Sequence, residues 1–437
     1  MKATLFSLTL AAGLGAQLAA GETLRMKLEP DREFVLSGSP QEVVVKIDLS
    51  ALPNQRKSKR TPLNLAVVLD RSGSMAGAKI EKALQAAMGL VDQLAPGDWF
   101  SLVAYSDRAE VLFPAQQVED KEAIKSCIAR IHPGGGTALY AGVDLGARQL
   151  QRHISARHIN RVILLSDGLA NIGPRSPQEL RNLGHSLSER GIAVTTIGVG
   201  DDYNEDLMAG LAEASDANYY YVKDTEMLPR IFAKELGELL TVAAREIRIE
   251  IVCPAGVRPM GFIGRAEKFE GQKAVVQFNQ ILPGQSRYVF LRCRVEDETP
   301  ELARVQVKYV DEVGDGDGRS LTDTVGVRFT RDNGTALKSI RASIVAEKEL
   351  LLTAMAKDEA LAEADAGRYQ VAAHKLATQA DLLDKQYQTA PESMRPQLRQ
   401  EAENLRSRSG ELQQNQYGSA TRKSLQWESY NTRNAKQ

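Results

Sequence analysis

Leu63-Asn64-Leu65-Ala66-Val67-Val68-Leu69-Asp70-Arg71-Ser72-Gly73-Ser74-Met75 is the stretch that decides how this chain is read. Its first half is an almost unbroken apolar run of strand length. Such a run predicts a strand covered on both faces, as in a parallel sheet lying between layers of helices. The run ends abruptly in polar residues. Asp70, Ser72 and Ser74 occupy alternate positions of a tight turn, so three oxygen side chains can face one spot, and Gly73 relieves the crowding between them. In open α/β sheets ligands gather beyond the carboxyl ends of the strands, where this turn would lie.

Further apolar runs follow at Phe100–Tyr105, Val162–Leu165, Ile192–Val199 and Tyr219–Val222. They alternate with segments of helical length and spacing at 78–94, 139–152, 176–190 and 225–240. Strand–helix alternation on this scale predicts a doubly wound α/β domain with a mostly parallel sheet, over residues 61–242. On either side the period changes to two. Leu24, Met26 and Leu28 alternate, as do Val43, Val45, Ile47 and Leu49, with a turn at Ser37–Pro40. After the α/β region, Ile247, Ile249 and Ile251, then Val305, Val307 and Tyr309, then Val325, Val327 and Phe329 read as strands. A two-strand fragment is not stable alone. Residues 21–60 and 243–334 are therefore expected to form one β-sandwich into which the α/β domain is inserted. Residues 335–415 read as a helical hairpin or bundle. Its first stripe is Leu337, Ile340, Ile344, Leu351 and Met355, its second helix covers 369–387, and its third carries Leu398, Ala402 and Leu405 after Pro391. The stretch from Ala366 to Leu383 faintly resembles a single tetratricopeptide unit, but without repeats it reads as part of an ordinary hairpin. Residues 416–437 read as a loose polar tail.

Two more strings belong with the opening one. His132-Pro133-Gly134-Gly135-Gly136-Thr137 is a glycine loop, expected to be flexible, that ends in a hydroxyl, and Leu164-Leu165-Ser166-Asp167-Gly168 ends another buried strand in a carboxylate. Hydroxyls and carboxylates are hard ligands that suit Mg²⁺, Mn²⁺ or Ca²⁺ rather than Zn²⁺. Taken together, the three strings resemble the metal-ion-dependent adhesion site of the von Willebrand factor type A family. Asp70, Ser72 and Ser74 match its first element, Thr137 its second and Asp167 its third. The resemblance covers about 62–240. It implies a cation held by the serines and by the threonine or second aspartate, with one coordination position open to an Asp or Glu of a protein partner. It also leaves open a metal that merely ties loops together, or an empty site. The flanking strands resemble the layout of inter-α-trypsin inhibitor heavy chains and of bacterial envelope proteins of this type.

Several function classes lose support. The formal net charge of −1 gives no basic face for nucleic acid. Arg56, Lys57, Lys59 and Arg60 read as a solvated linker. There is no G-x-S-x-G and no Walker-type loop, and His132, His153, His158, His185 and His374 show no paired ligand spacing. One metal held by hydroxyls is a poor source of hydroxide, so neither an enzyme nor a small-molecule substrate is expected. A subunit partnering a cytosolic ATPase is disfavoured by the N-terminus. There Lys2, the uncharged stretch Leu5–Leu18 and Ala19-Ala20 read as a signal peptide cut before Gly21, directing the protein to the periplasm, the cell surface or the medium. An uncleaved anchor is the alternative. The acidic glycine loop Asp311–Gly318 lacks the glutamate that closes an EF-hand and reads as a hairpin loop. Cys253 and Cys293 both point to an apolar face, which would permit a disulfide in an oxidising compartment. The expected function is an exported, metal-dependent protein-binding module. A scaffold assembling through its helical tail, as a homo-oligomer, is the alternative.

Overall fold

The computed structural model describes residues 23–53, 60–155, 157–314, 316–414 and 417–434. The expected signal peptide, Arg56, Lys57, Lys59 and Asp315 lie outside the described residues. The chain begins with strands β1 (Leu24–Pro30), β2 (Phe34–Leu36) and β3 (Gln41–Ala51). It then enters the α/β region: β4 (Leu63–Asp70), α1 (Ala78–Gln93), β5 (Trp99–Tyr105), β6 (Ala109–Gln117), α2 (Lys121–Ala129), α3 (Leu139–Gln151), β7 (Ile159–Ser166), α4 (Pro177–Glu189), β8 (Ala193–Val199), α5 (Glu205–Ala214), β9 (Tyr219–Val222) and α6 (Leu228–Leu240). The six strands form one sheet in the order β6-β5-β4-β7-β8-β9, parallel except for β6.

Every residue of β4 is buried. Leu65, Val67 and Leu69 pack with Ala83, Leu90, Phe232 and Leu236 of α1 and α6. Ala66 and Val68 pack on the other face with Val143 of α3 and Leu207 of α5. Alternation is therefore present in β4, but both faces are apolar because both meet helices. The direction of winding reverses between β4 and β7. Asp70 closes the first of these strands and Asp167 follows the second, so the two carboxylates lie at the topological switch point.

The sandwich is completed by β10 (Ala244–Val252), β11 (Val257–Phe262), β12 (Lys273–Ile281), β13 (Ser286–Val295), β14 (Glu301–Asp311), β15 (Gly318–Gly326) and β16 (Arg328–Thr330). Its sheets are β1-β3-β13-β11 and β12-β10-β14-β15. Val43, Val45, Ile47 and Leu49 pack against Ile247, Ile249, Ile251, Val305 and Val307 between them. The strand expected through Val325, Val327 and Phe329 is broken. β15 ends at Gly326, and β16 pairs in parallel with β2 as a separate ribbon, so the turn at 37–40 joins β2 to β3. Cys253 and Cys293 are buried free thiols. Asp311 closes the hairpin turn after β14 by accepting the Val313 and Gly314 N–H groups at 3.0 Å.

The remaining helices are α7 (Asn333–Lys338), α8 (Ala342–Asp365), α9 (Tyr369–Thr389), α10 (Arg395–Gln413) and α11 (Ser419–Arg433). The expected stripe from Leu337 to Met355 does not hold. The chain leaves the helix after Lys338, and Arg341 N–H is captured by Asp31 O at 2.8 Å. Leu337 and Ile340 are exposed, whereas Ile344 and Leu351 pack on Val44 and Phe290 of the sandwich. The tail expected to be loose contains α11. Tyr430 is fully buried against α5 and β9, edge-on to Tyr219, and its hydroxyl donates to Ala217 O. Lys423 forms a buried ion pair with Glu205 at 2.7 Å. Arg422 reaches Asp206 and Asp365, tying α5 to α8. None of the helices among the described residues is long and apolar enough to cross a membrane.

Candidate metal centre

The turn after β4, the glycine loop before α3 and the turn after β7 are stitched into one surface by backbone hydrogen bonds. Arg71 N–H reaches Tyr105 O at 2.8 Å, Gly134 N–H reaches Arg71 O at 2.7 Å, and Gly73 N–H reaches Gly135 O at 3.0 Å. Asp107 accepts Gly136 N–H at 2.7 Å, and Asn171 accepts Thr137 N–H at 2.8 Å. The glycine loop is thus pinned, contrary to the flexibility its composition suggests. Gly135 is required there: φ is +83°, and a Cβ would lie 2.6 Å from Asp107 Oδ2.

All five expected site residues come together on this surface. Asp70 and Asp167 have no exposed area, Ser72 and Thr137 are buried, and Ser74 is open to solvent. Asp70 Oδ1 accepts Ser72 N–H at 2.8 Å, and Oδ2 accepts the Ser166 hydroxyl at 2.7 Å. Burial pushes the Asp70 carboxyl above its ordinary range, and the Ser72 and Ser166 donors oppose that shift. Tyr105 lies behind it, its hydroxyl 3.3 Å from Leu165 O. Burial and the neighbouring Asp70 charge drive its pKa well above that of a free phenol. Ser72 Oγ and Ser74 Oγ are 3.0 Å apart, and Ser74 donates to Asp167 Oδ1 at 2.7 Å. A Cβ on Gly168 would sit 3.2 Å from Ser74 Oγ, 3.2 Å from Thr137 Oγ1 and 3.8 Å from Ser72 Oγ. Three hydroxyls therefore surround the empty side of Gly168, and two buried carboxylates stand behind them.

This donor set fits a hard divalent cation. Among the described residues no three His, Cys, Asp or Glu side chains form a metal cluster. Two carboxylates and three hydroxyls give oxygen ligands without soft donors, and they leave room for water in an octahedral shell.

Reading the motifs alone misses four residues. Asp107 and Asn171 hold the glycine loop, and Ser166 orients Asp70. Lys79, in the first turn of α1, places Nζ 2.5 Å from Asp167 Oδ2. Only Lys79 leaves a trace in the sequence: a cation in the first turn of a helix opposes the helix dipole. His132, beside the glycine loop, is exposed. Leu169, next to the site, is 60% exposed.

The profile of the von Willebrand factor type A domain matches residues 64–234. An uncharacterised protein of Synechocystis sp. is 28% identical over 278 residues, 61% of this chain and 65% of that one. Inter-alpha-trypsin inhibitor heavy chain H4 of Sus scrofa is 32% identical over 126 residues, 28% of this chain and 14% of that one. The chain thus spans less than two thirds of the length of either relative. The structure of a von Willebrand factor type A protein from Catenulispora acidiphila superposes with a TM-score of 0.69 at 19% identity. That match covers 86% of this chain and 89% of that one, so the likeness in fold extends beyond the α/β region. Residues 64–234 are a von Willebrand factor type A domain, set into a β-sandwich and backed by a C-terminal layer of helices.

Proposed function

We propose that this protein is a divalent-metal-dependent protein-binding module whose partner presents an Asp or Glu side chain at the site of Asp70, Ser72, Ser74, Thr137 and Asp167. The observation that carries the reading is the convergence of three hydroxyls on the open side of Gly168, in front of two fully buried carboxylates. Domains of this type generally act in protein–protein interaction, which supports the same reading. Mg²⁺, Mn²⁺ or Ca²⁺ bound there would supply a Lewis-acidic position for a carboxylate oxygen. The protein's own part is to hold the donors still. Asn171 and Asp107 fix the loop that carries Thr137, and Ser166 keeps Asp70 turned toward the motif turn. One charge-assisted contact is not an affinity in itself, so the surrounding surface must contribute. Exposed Leu169 offers an apolar contact beside the site.

In this reading the N-terminal segment exports the chain, and the module works outside the cytoplasm. Mass spectrometry of the protein from its native host would then find a mature chain beginning near Gly21, and a retained full-length chain would count against export. The binding reading is tested by capturing a partner from extract on the immobilised protein in Mg²⁺, in chelator, and with Thr137→Ala. Binding that needs both the metal and Thr137 supports it. Full capture by the chelated protein and by Thr137→Ala would make any bound metal structural.

A further inference from the structure

Lys79 sits where helix electrostatics disfavour a cation. It is in the first turn of α1, whose N-cap is Gly77 with no side-chain cap. Its ammonium lies 2.5 Å from Asp167 Oδ2, while the other oxygen of Asp167 accepts the Ser74 hydroxyl at 2.7 Å. The Asp167 side chain has no exposed area and that of Lys79 is 26% exposed, so the pair is screened by water on one side only. A local rule broken at a ligand-binding position points to a role in the site rather than in the helix.

The consequence follows from counting charge. Asp70 and Asp167 bring two negative charges and Lys79 one positive, leaving these three groups at minus one; Asp107, which accepts Gly136 N–H, is exposed and its charge is screened by solvent. A divalent cation takes the three groups to plus one, and a single carboxylate then brings the sum to zero. Without Lys79 the loaded site would already be neutral, and a carboxylate would leave it negative. Resting on the metal-dependent binding reading above, we propose that Lys79 sets the selectivity of this site: it weakens the hold on the metal and in exchange matches the loaded site to one carboxylate of the partner, rather than to an acidic cluster. The two effects have opposite signs. A merely structural lysine would not separate them.

The test uses the full chain with Mn²⁺ as the metal and acetate as the carboxylate probe. Mn²⁺ affinity is read by paramagnetic resonance, and acetate binding by the change in water relaxation of the loaded protein. Lys79→Met removes the charge. Lys79→Gln removes it but keeps a hydrogen-bond donor for Asp167, and either variant suffices should the other fold poorly. Lys79→Arg restores the charge. A unit charge about 4 Å away changes an affinity by roughly fivefold in bulk water and by far more beside a protein surface. The neutral variants are therefore expected to bind Mn²⁺ about tenfold more tightly and, once loaded, to bind acetate about tenfold more weakly. Lys79→Arg should return both affinities toward wild type. Neutral variants with wild-type affinities, or with both affinities moved in the same direction, would overturn the role of Lys79 and leave the metal site standing. A wild-type chain that binds no Mn²⁺ would remove the metal site itself, and this inference with it.

Discussion

Gly168→Ala is the sharpest perturbation of the site, because it adds one methyl group and removes no ligand. The new Cβ would lie 3.2 Å from Ser74 Oγ and Thr137 Oγ1 and 3.8 Å from Ser72 Oγ. Gly168 is not among the residues with positive φ, so alanine meets no backbone penalty. In the metal-free protein the hydroxyls can rotate by the few tenths of an ångström required, and the stability change should stay within about 0.5 kcal/mol. Metal-bound hydroxyls cannot rotate freely, and overpacking a fixed arrangement costs about 1–3 kcal/mol. At ~1.4 kcal/mol per tenfold, metal affinity should fall by about 5- to 150-fold. Calorimetric titration with Mg²⁺ measures that loss, and thermal melts in chelator provide the folding control. Unchanged Mg²⁺ affinity in a folded Gly168→Ala protein would show that the three hydroxyls do not surround the metal.

Other outcomes follow from neighbouring features. Asn171→Ala frees the Thr137 N–H from its 2.8 Å acceptor and should weaken Mg²⁺ by about 10–100-fold in the same titration, as loss of a ligand-orienting partner does. Tyr430→Ala empties a fully buried ring site between α11 and the α/β domain and should cost about 3–5 kcal/mol in urea denaturation; a loss below ~1 kcal/mol would mean that α11 is not docked. Burial raises the Cys253 thiol to about 11 and the Cys293 thiol to about 12, from an ordinary 9.0. Above pH 9 the unfolded chain therefore sheds thiol protons that the folded chain keeps, so stability falls as pH rises from 9 toward 11. The fall in urea midpoint over that window should be smaller in a Cys253→Ala/Cys293→Ala variant than in wild type.

What could be read in the sequence was whatever burial writes as a pattern. β4, β7 and β8 are covered on both faces, and the runs of valine, leucine and isoleucine in β4 and β7 announce a helix-covered sheet. β6 gives no such signal. It is a half-exposed edge strand interrupted by Pro114, where the register with β5 shifts, and proline is tolerated in sheets at edges and bulges. α11 was hidden for the opposite reason. Its anchors are Tyr430, Leu425 and ion pairs of Arg422, Lys423 and Arg433, and a helix docked through charge looks like one facing water. The five candidate oxygen ligands stood out because a hard cation would require those residue types at fixed places. Asp107 and Asn171 did not, because each acts across a gap between loops that only the folded chain closes.

The way the α/β domain joins the sandwich has a mechanical meaning. Its chain enters at Leu63 and leaves after Leu240, at the end of the sheet away from Asp70. Both connections are fastened to one sheet of the sandwich, through Thr61 to Glu312 on one side and Ala243 N–H to Ile281 O on the other. A force applied at the Asp70 end therefore pulls against two tethers in parallel. The domain has no free terminus from which tension could unravel it. Traction along the strands is shared between the connections and passed into the neighbouring β-layer, so the loaded element is the whole two-tethered unit rather than a single strand of chain.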